Sequence, residues 1–582
     1  MKKTLAILTV LALTLPFAGC EKEEDNDGMI EIFAEAMNGG SKVLLDGANA
    51  TWVDGEKIRI NSDEATVERR GDRAYISYAS PQEVNRALYP SSLNVTSWGG
   101  DNVTVTFPSY YHYRTDGAGH QILDLPMAAR SEGSNPLQFK HLTGALYITI
   151  TNTASVPLTL QSVTVKSNYY QLSGSRAIDL TTFAIGGVTT GTSDDRKVTV
   201  LFDTGYTLAT DASLKVMLPI MPVESNNRFT IEVKSFEQGE DNVYLYSRTQ
   251  AGEGDCSLAR NQLGYAPVSI AAEGSAPLLE QEGGHYVVRT PLEFTRMAQA
   301  ITSRVVTGND VIDILEDMDM TGISLSPIVN VDFTGTIDGH NNTISNLTIN
   351  SVEENDGFYC AMFEKLNSGL ICDIVFDNLN LNHQRSASKQ INIAALIGSS
   401  ENQGGLGTIT LRNCTVRLQS VTLTGANGQV NIGGLIASFS GTNNYSISNC
   451  HVVVPSLNIS GKSFYFGGII GIANNINPNI TLSSVIIAQN SEATLTATKN
   501  IIAGGLIGGK VRGNFTATND TVEGRIVATS DSGAKRFIGS LIGEYSNQGV
   551  STTTGTITTN FTASLNGTEV ESIGNYGTNL AK

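Results

Sequence analysis

Gly433-Gly434-Leu435-Ile436-Ala437, Gly467-Gly468-Ile469-Ile470-Gly471 and Gly504-Gly505-Leu506-Ile507-Gly508 are near copies of one phrase. Looser copies stand at Ala361-Met362-Phe363, Ala394-Ala395-Leu396-Ile397-Gly398 and Gly539-Ser540-Leu541-Ile542-Gly543. The aligned positions 362, 396, 435, 469, 506 and 541 are spaced by 34, 39, 34, 37 and 35 residues. Between them runs a second motif, Leu411-Arg412-Asn413-Cys414-Thr415-Val416 and Ile447-Ser448-Asn449-Cys450-His451-Val452, with degenerate copies at 371–374 and 518–522. A repeat of this length marks stacked units that bury one another's apolar faces. With short strand-like runs between turns, it predicts a β-solenoid. The Gly pairs are expected to turn tight corners, and the Leu and Ile side chains to stack inside.

Working outward, Thr290-Pro291-Leu292-Glu293-Phe294 opens an amphipathic stretch that continues through Val305. Thr suits a helix N-cap and Pro the first helical position, so a helix is expected to cap the first coil and cover its open sheet edge. Before it, 271–285 is a linker rich in small residues. Further upstream, Asn102-Val103-Thr104-Val105-Thr106-Phe107, Leu146-Tyr147-Ile148-Thr149-Ile150-Thr151 and Phe229-Thr230-Ile231-Glu232-Val233 alternate polar and apolar residues, as half-buried strands do. Short strands between frequent turns suggest antiparallel sandwiches, with boundaries expected at 28–152 and 153–270.

Composition agrees. Of 582 residues 58 are Gly, and charged residues are only 16%, too few for a helical bundle of Glu, Lys, Leu and Ala. The net charge is -18, so the chain repels phosphate, and nucleic acid is excluded as a partner. The acid is uneven: from position 380 onward there are 8 acidic and 12 basic side chains, against 48 and 26 before it.

The N-terminus reads as an address. Lys2 and Lys3 precede an apolar run, 5–17, too short to span a bilayer, and the run ends in Phe17-Ala18-Gly19-Cys20. This resembles a bacterial lipobox, which implies removal of residues 1–19 and lipidation of Cys20, with the anchor holding the protein on a membrane. Residues 20–27 form an acidic tether. Within it Lys22, Glu23 and Glu24 resemble the surface-export signal of Bacteroidota lipoproteins, implying an outer-membrane location facing the medium.

Two family resemblances follow. Thr51-Trp52-Val53-Asp54-Gly55-Glu56-Lys57-Ile58, Leu88-Tyr89-Pro90, Leu125-Pro126-Met127-Ala128-Ala129 with Phe139-Lys140-His141-Leu142, Leu218-Pro219-Ile220-Met221-Pro222 and Leu258–Tyr265 occur in the order of segments found in fimbrillin-like surface proteins of Bacteroidales. The repeats from 286 to 582, with Phe333–Gly339 ahead of them, resemble the GLUG repeats of bacterial adhesin-type proteins. Together these imply an all-β chain: two transthyretin-like β-sandwich domains followed by a right-handed parallel β-helix (β-solenoid). They imply a lipid-anchored, adhesin-like role, as a fimbrial tip or accessory subunit. Fimbrial subunits, glycans or a surface protein are the implied partners. A glycan-capture lipoprotein for nutrient uptake and a polysaccharide lyase or hydrolase are the rival readings.

Candidate chemistry is sparse. Cys256, Cys360, Cys372, Cys414 and Cys450 contain no zinc spacing, and Cys414 and Cys450 share one repeat position. They read as interior thiols filling one column, with a disulfide the alternative. His112, His120, His141, His285, His340, His383 and His451 form no metal motif, so no metal and no cofactor is expected. Asp520 and Glu523 are the one close acid pair among the repeats and the place a hydrolytic site is sought. Asp332 and Asp338 read as turn residues. Asn346, Asn413, Asn479, Asn514 and Asn560 read as turn Asn ahead of strand Thr. Tyr110-Tyr111-His112-Tyr113 and Tyr169-Tyr170 fit either sugar platforms or strand-edge packing.

Overall fold

In the computed structural model, residues 29–579 are described except for a set of loops, the longest at 40–51, 187–194, 250–255, 474–478, 546–551 and 571–577. Cys20, Lys22, Glu23 and Glu24 lie outside the described residues. The chain is all-β, and among the described residues it has one helix, Pro291–Thr302. No helix among them is long and apolar enough to cross a membrane.

The first strands close into a seven-stranded barrel in the order Met29–Ala34, Leu137–His141, Met127–Glu132, Val84–Tyr89, Lys57–Ile60, Asp63–Arg70 and Arg73–Ser77. Its core gathers residues from separate sequence motifs. Trp52 meets Tyr89 edge-on at 5.0 Å and Phe139 at 5.1 Å between ring centroids. Met127 and Leu137 fill the same cluster. His141 is fully buried, and its carbonyl accepts a hydrogen bond from Arg260.

A second unit packs two sheets over a Val, Ile and Leu core. One sheet is built on Gly144–Asn152, which pairs with Ser213–Ile220 and Gln262–Ile270. The other is built on Leu158–Ser167, which pairs with Lys197–Leu208 and Phe229–Phe236. The pairing crosses the boundary expected at 152. Gly144–Asn152 lies wholly in the second unit, Asn102–Phe107 pairs with Gly174–Asp179, and Tyr110–His112 pairs with Thr199–Leu201. Alternation locates strands but does not say which strand is the hydrogen-bonding neighbour, so residue 152 does not separate the sheets.

From His285 onward the chain winds as a parallel solenoid. One wall stacks Phe363–Lys365, Ile397–Asn402, Ile436–Gly441, Ile470–Ala473, Ile507–Val511 and Ile542–Tyr545. A continuous core of Ile, Leu, Val and Phe runs inside the coils. The helix seals the first coil as expected. Thr290 Oγ1 accepts from Glu293 N at 3.1 Å, and Phe294, Met297 and Ile301 enter the solenoid core. At the far end, Thr568–Glu569 and Thr578–Asn579 fold back antiparallel and end the parallel stacking.

The Gly pairs act through close approach rather than through an unusual backbone angle. A Cβ on Gly434 would lie 2.0 Å from the Gly468 carbonyl oxygen, and one on Gly468 would lie 2.3 Å from that of Gly505. Successive coils are in contact there, backbone to backbone. The left-handed corner belongs to the second motif: Asp373, Asn413, Asn449, Ser484 and Asn519 stack with φ of 53, 53, 51, 56 and 58°. Asn and Asp tolerate this region better than other non-glycine residues, and the Asn413 amide donates to Asp373 at 2.6 Å. Of the Asn-x-Thr/Ser positions, Asn346 and Asn413 are corner residues, whereas Asn479 and Asn514 begin strands and Asn560 lies inside one.

Cys414 and Cys450 lie in adjacent coils, buried and not joined by a disulfide, as the interior-thiol reading expects, and their thiols donate to the Ile371 and Leu411 carbonyls. Burial pushes the Cys360 and Cys372 thiols up to about 12.

Two outcomes are expected. Gly468→Ala forces neighbouring coils apart at a cost of ~1–3 kcal/mol, read as faster amide hydrogen exchange in the coils on either side of position 468. In thiol labelling of the native protein, half-buried Cys256 reacts, while Cys360, Cys372, Cys414 and Cys450 react only after denaturant is added.

Candidate functional site

The outward side of one solenoid wall is a regular polar lattice. Strands Thr408–Leu423, Asn444–Ser448, Asn479–Ser483, Asn514–Thr518 and Thr552–Thr554 stack in parallel. Their inward residues, among them Ile409, Tyr445, Ile480 and Phe515, are buried. Alternation therefore turns the intervening residues to solvent. One outward column is Thr408, Asn444, Asn479 and Asn514. The next is Thr410, Ser446, Thr481 and Thr516, and the third is Arg412, Ser448, Ser483 and Thr518. Columns repeat at about 4.8 Å from coil to coil and about 7 Å along each strand.

The first column is tied across coils. The Asn479 amide donates to Asn444 Oδ1 at 2.8 Å, and the Asn514 amide donates to Asn479 Oδ1 at 2.9 Å. Each such bond fixes an amide that would otherwise rotate freely. Polar pairs in two adjacent columns also bridge earlier coils, where Asn382 donates to Asn350 at 3.0 Å and Ser420 to Asn380 at 2.7 Å. The third lattice column carries one charge, Arg412, which is paired with Asp373 at 3.0 Å. The lattice thus offers ordered hydroxyl and amide groups with little field. It is suited to a neutral, hydroxyl-bearing polymer rather than to an ion.

A second site lies where the solenoid meets the sandwich sheets. A cleft of about 810 Å³ is lined by Tyr110, His112, Asp203, Arg289, Glu316 and Asp319, among others. His112 spans it: Nδ1 lies 2.5 Å from Asp203 in the sandwich, and Nε2 lies 2.6 Å from Glu316 in the solenoid. Hydrogen bonds donated by the imidazolium to Asp203 and then Glu316 outweigh burial and raise its pKa from 6.5 to about 10. The Arg289 guanidinium lies 3.9 Å from the centre of the Tyr110 ring and pairs with Glu282 at 2.7 Å, while Lys197 reaches Glu282 at 3.2 Å. Burial works to raise the Glu282 pKa, but the Tyr110 hydroxyl and Arg289 outweigh it and hold the carboxyl below its ordinary range. Glu280–Glu282 and His285–Val288 form a hairpin, so the end of the small-residue segment is built into this junction.

The other sequence candidates divide as follows. Tyr110 and Tyr111 line this cleft, Tyr110 beneath the Arg289 guanidinium and Tyr111 largely buried in the sandwich core; Tyr169 is exposed and edges against Tyr170 at 4.9 Å. Asp520 and Glu523 fall on opposite sides of one strand. Asp520 is buried and accepts from the Val485 amide at 2.8 Å, whereas Glu523 alternates outward. They do not form a carboxylate pair. Asp332 pairs with Arg304 at 2.9 Å, and Asp338 accepts from the His340 amide at 2.9 Å in a turn. The lattice itself was legible only as an excess of Thr, Ser and Asn, because the columns exist only once the coil register is known.

No known family matches the sequence, and no curated protein matches it. Among solved structures, the chain is similar to a candidate immunoglobulin A1 protease from Bacteroides ovatus at 15% identity. That match covers 51% of this chain and 82% of that one, with a TM-score of 0.35. It is also similar to a candidate cell adhesion protein from Bacteroides ovatus at 13% identity, covering 42% and 94%, with a TM-score of 0.26. A fimbrial protein from Bacteroides vulgatus matches at 9% identity, covering 42% and 95%, with a TM-score of 0.21. None of these likenesses is close enough to carry a family assignment.

The His112 clamp makes the junction pH-dependent. Its folded pKa is raised, so its stabilisation is complete below about 6.5 and is lost as pH rises through about 10. Between pH 6 and 10.5 the wild type is expected to lose on the order of 2–3 kcal/mol more stability than His112→Gln, after allowance for partial exposure. Denaturant unfolding of both proteins at the two pH values measures this.

Proposed function

We propose that the protein is a surface adhesin-like lipoprotein that binds an extended glycan along the solenoid. The lattice of Asn, Thr and Ser columns at 408–412, 444–448, 479–483 and 514–518 carries this reading. A polymer of sugar units presents repeated hydroxyls, and a rigid array of donors and acceptors meets them without each side chain losing freedom on binding. Many weak contacts along one chain then act together.

In this reading the lipid on Cys20 anchors the protein to the outer membrane, and Lys22, Glu23 and Glu24 direct it to the outer face. The fimbrillin-like units place the GLUG-type solenoid away from the surface, as a tip or accessory subunit of a fimbrium or as a stand-alone adhesin. Its mechanism is binding. The inward position of Asp520 leaves the acid pair singled out for hydrolysis without a common face.

A glycan array probed with the chain from residue 28 onward tests this. Binding to at least one extended polysaccharide is expected, with at least a tenfold loss in Thr481→Arg, which sets a bulky charge in the middle of the lattice. Retained affinity in Thr481→Arg, or no binding to any glycan, overturns the assignment. Release of oligosaccharides from a bound polymer overturns the non-catalytic mechanism.

A further inference from the structure

The first coils of the solenoid bring together two imidazoles and two carboxylates from three separate stretches of the chain, His285, Asp313 and Asp338 with His340. Strands His285–Val288, Val311–Ile314 and Thr336–Asp338 are consecutive parallel neighbours. Asp313 stands directly opposite Asp338 in the ladder. Just beyond Asp338 the chain turns through His340, at φ 48°, and the imidazole reaches back toward the same point. Donor atoms of Asp313, Asp338 and His340 all lie within 4.8 Å of one another.

We propose that Asp313, Asp338 and His340 bind a divalent transition-metal ion of the zinc class. Asp313 Oδ1 and His340 Nε2 are 3.1 Å apart. A tetrahedral shell with metal–ligand bonds of about 2.0–2.1 Å has edges of about 3.3–3.4 Å, so this pair is spaced like two ligands of one ion. His285 Nδ1 holds the other oxygen, Asp313 Oδ2, at 2.8 Å. That contact fixes the carboxylate with Oδ1 turned toward His340, as an outer-shell partner of a ligand does. The Asp338 carboxylate accepts from the His340 amide at 2.9 Å, which sets the turn that aims the imidazole.

Charge favours the same reading. Two carboxylates directly opposite each other on neighbouring strands repel, and a dication between them removes that repulsion. An imidazole nitrogen in the set selects zinc-like ions over calcium or magnesium, which take oxygen shells. The neighbouring cluster of Asp338, Cys372 and Asp373 is the weaker candidate. The Asp373 carboxylate is already held by Arg412 at 3.0 Å and Asn413 at 2.6 Å. His285 and His340 are each about half exposed, at 48% and 46% of the side chain. The ion is therefore reachable from solvent and keeps at least one position for water or an incoming oxygen ligand. Bound there, it ties the second and third of these strands together, and through His285 the first, immediately beside the junction.

Calorimetric titration of the metal-stripped chain from residue 28 onward with zinc chloride, and separately with calcium chloride, tests the site. One saturable zinc site is expected, with weaker or no calcium binding and a higher thermal midpoint in zinc. His340→Asn is the informative variant, because Asn tolerates the left-handed backbone at 340 while removing the imidazole. It and Asp338→Asn are expected to lower zinc affinity at least tenfold and to abolish the thermal shift, with unchanged melting in the absence of metal. His285→Ala is expected to weaken zinc by about 10–100-fold. His451→Asn, on a distant coil, serves as the control and retains the site. Absence of a saturable zinc site, zinc affinity undiminished in His340→Asn, or calcium binding as tight as zinc would each overturn the proposal.

Discussion

The structure depends on how closely parallel coils can approach. At the Gly434, Gly468 and Gly505 level the backbone of one coil rests on the carbonyl of the next, with no room for a Cβ. That approach lets the following Leu435, Ile469 and Leu506 side chains stack without a void, and buried apolar area is the main favourable term in folding. It also brings the strands within hydrogen-bonding distance along their whole length. Every outward column, including the Asn444, Asn479 and Asn514 ladder, inherits its regularity from this interior contact.

A stack of coils has two open ends, and each is closed by a different device. At the start, Pro291–Thr302 lays Phe294, Met297 and Ile301 over the first coil, and its other side packs against the sandwich strand Lys197–Leu208. At the finish, two short antiparallel strands fold back over the last coils. Because the cap is shared with the sandwich, the solenoid is not hung on a loose tether. His112, Arg289, Glu282 and Lys197 form an electrostatic clamp across the same junction, and a polymer pulling on the far coils would load it. Paired charges in a part-buried seam hold better than exposed pairs because solvent screens them less.

Much of this was legible in the residues. The repeat near 35 residues, the Thr290 cap and the interior Cys column all followed from pattern and chemistry. The Gly pairs stand at corners, where the chain bends at 434–435, 468–469 and 505–506 between strands of different sheets; the structure adds that they permit the close packing of coils and that a separate, left-handed corner falls to Asn413, Asn449 and their column mates. Asn-Cys pairs in the second motif carried that signal, since Asn beside a buried residue at each repeat is the mark of a stacked corner. The metal cluster was hidden because His285, Asp313 and the Asp338–His340 turn are separated by nearly one coil each, and no local motif spans such gaps.

By itself the sequence determined the all-β class, the repeat and its interior, because alternation and periodicity are local consequences of which face each side chain takes. Only the tertiary structure decided the rest. It put Asp520 inside and Glu523 outside, paired strands from either side of residue 152, and aligned Thr408, Asn444, Asn479 and Asn514 into one column. Partner choice and register are long-range pairings, fixed by the summed fit of many residues. No short stretch of chain contains enough of that fit to reveal them.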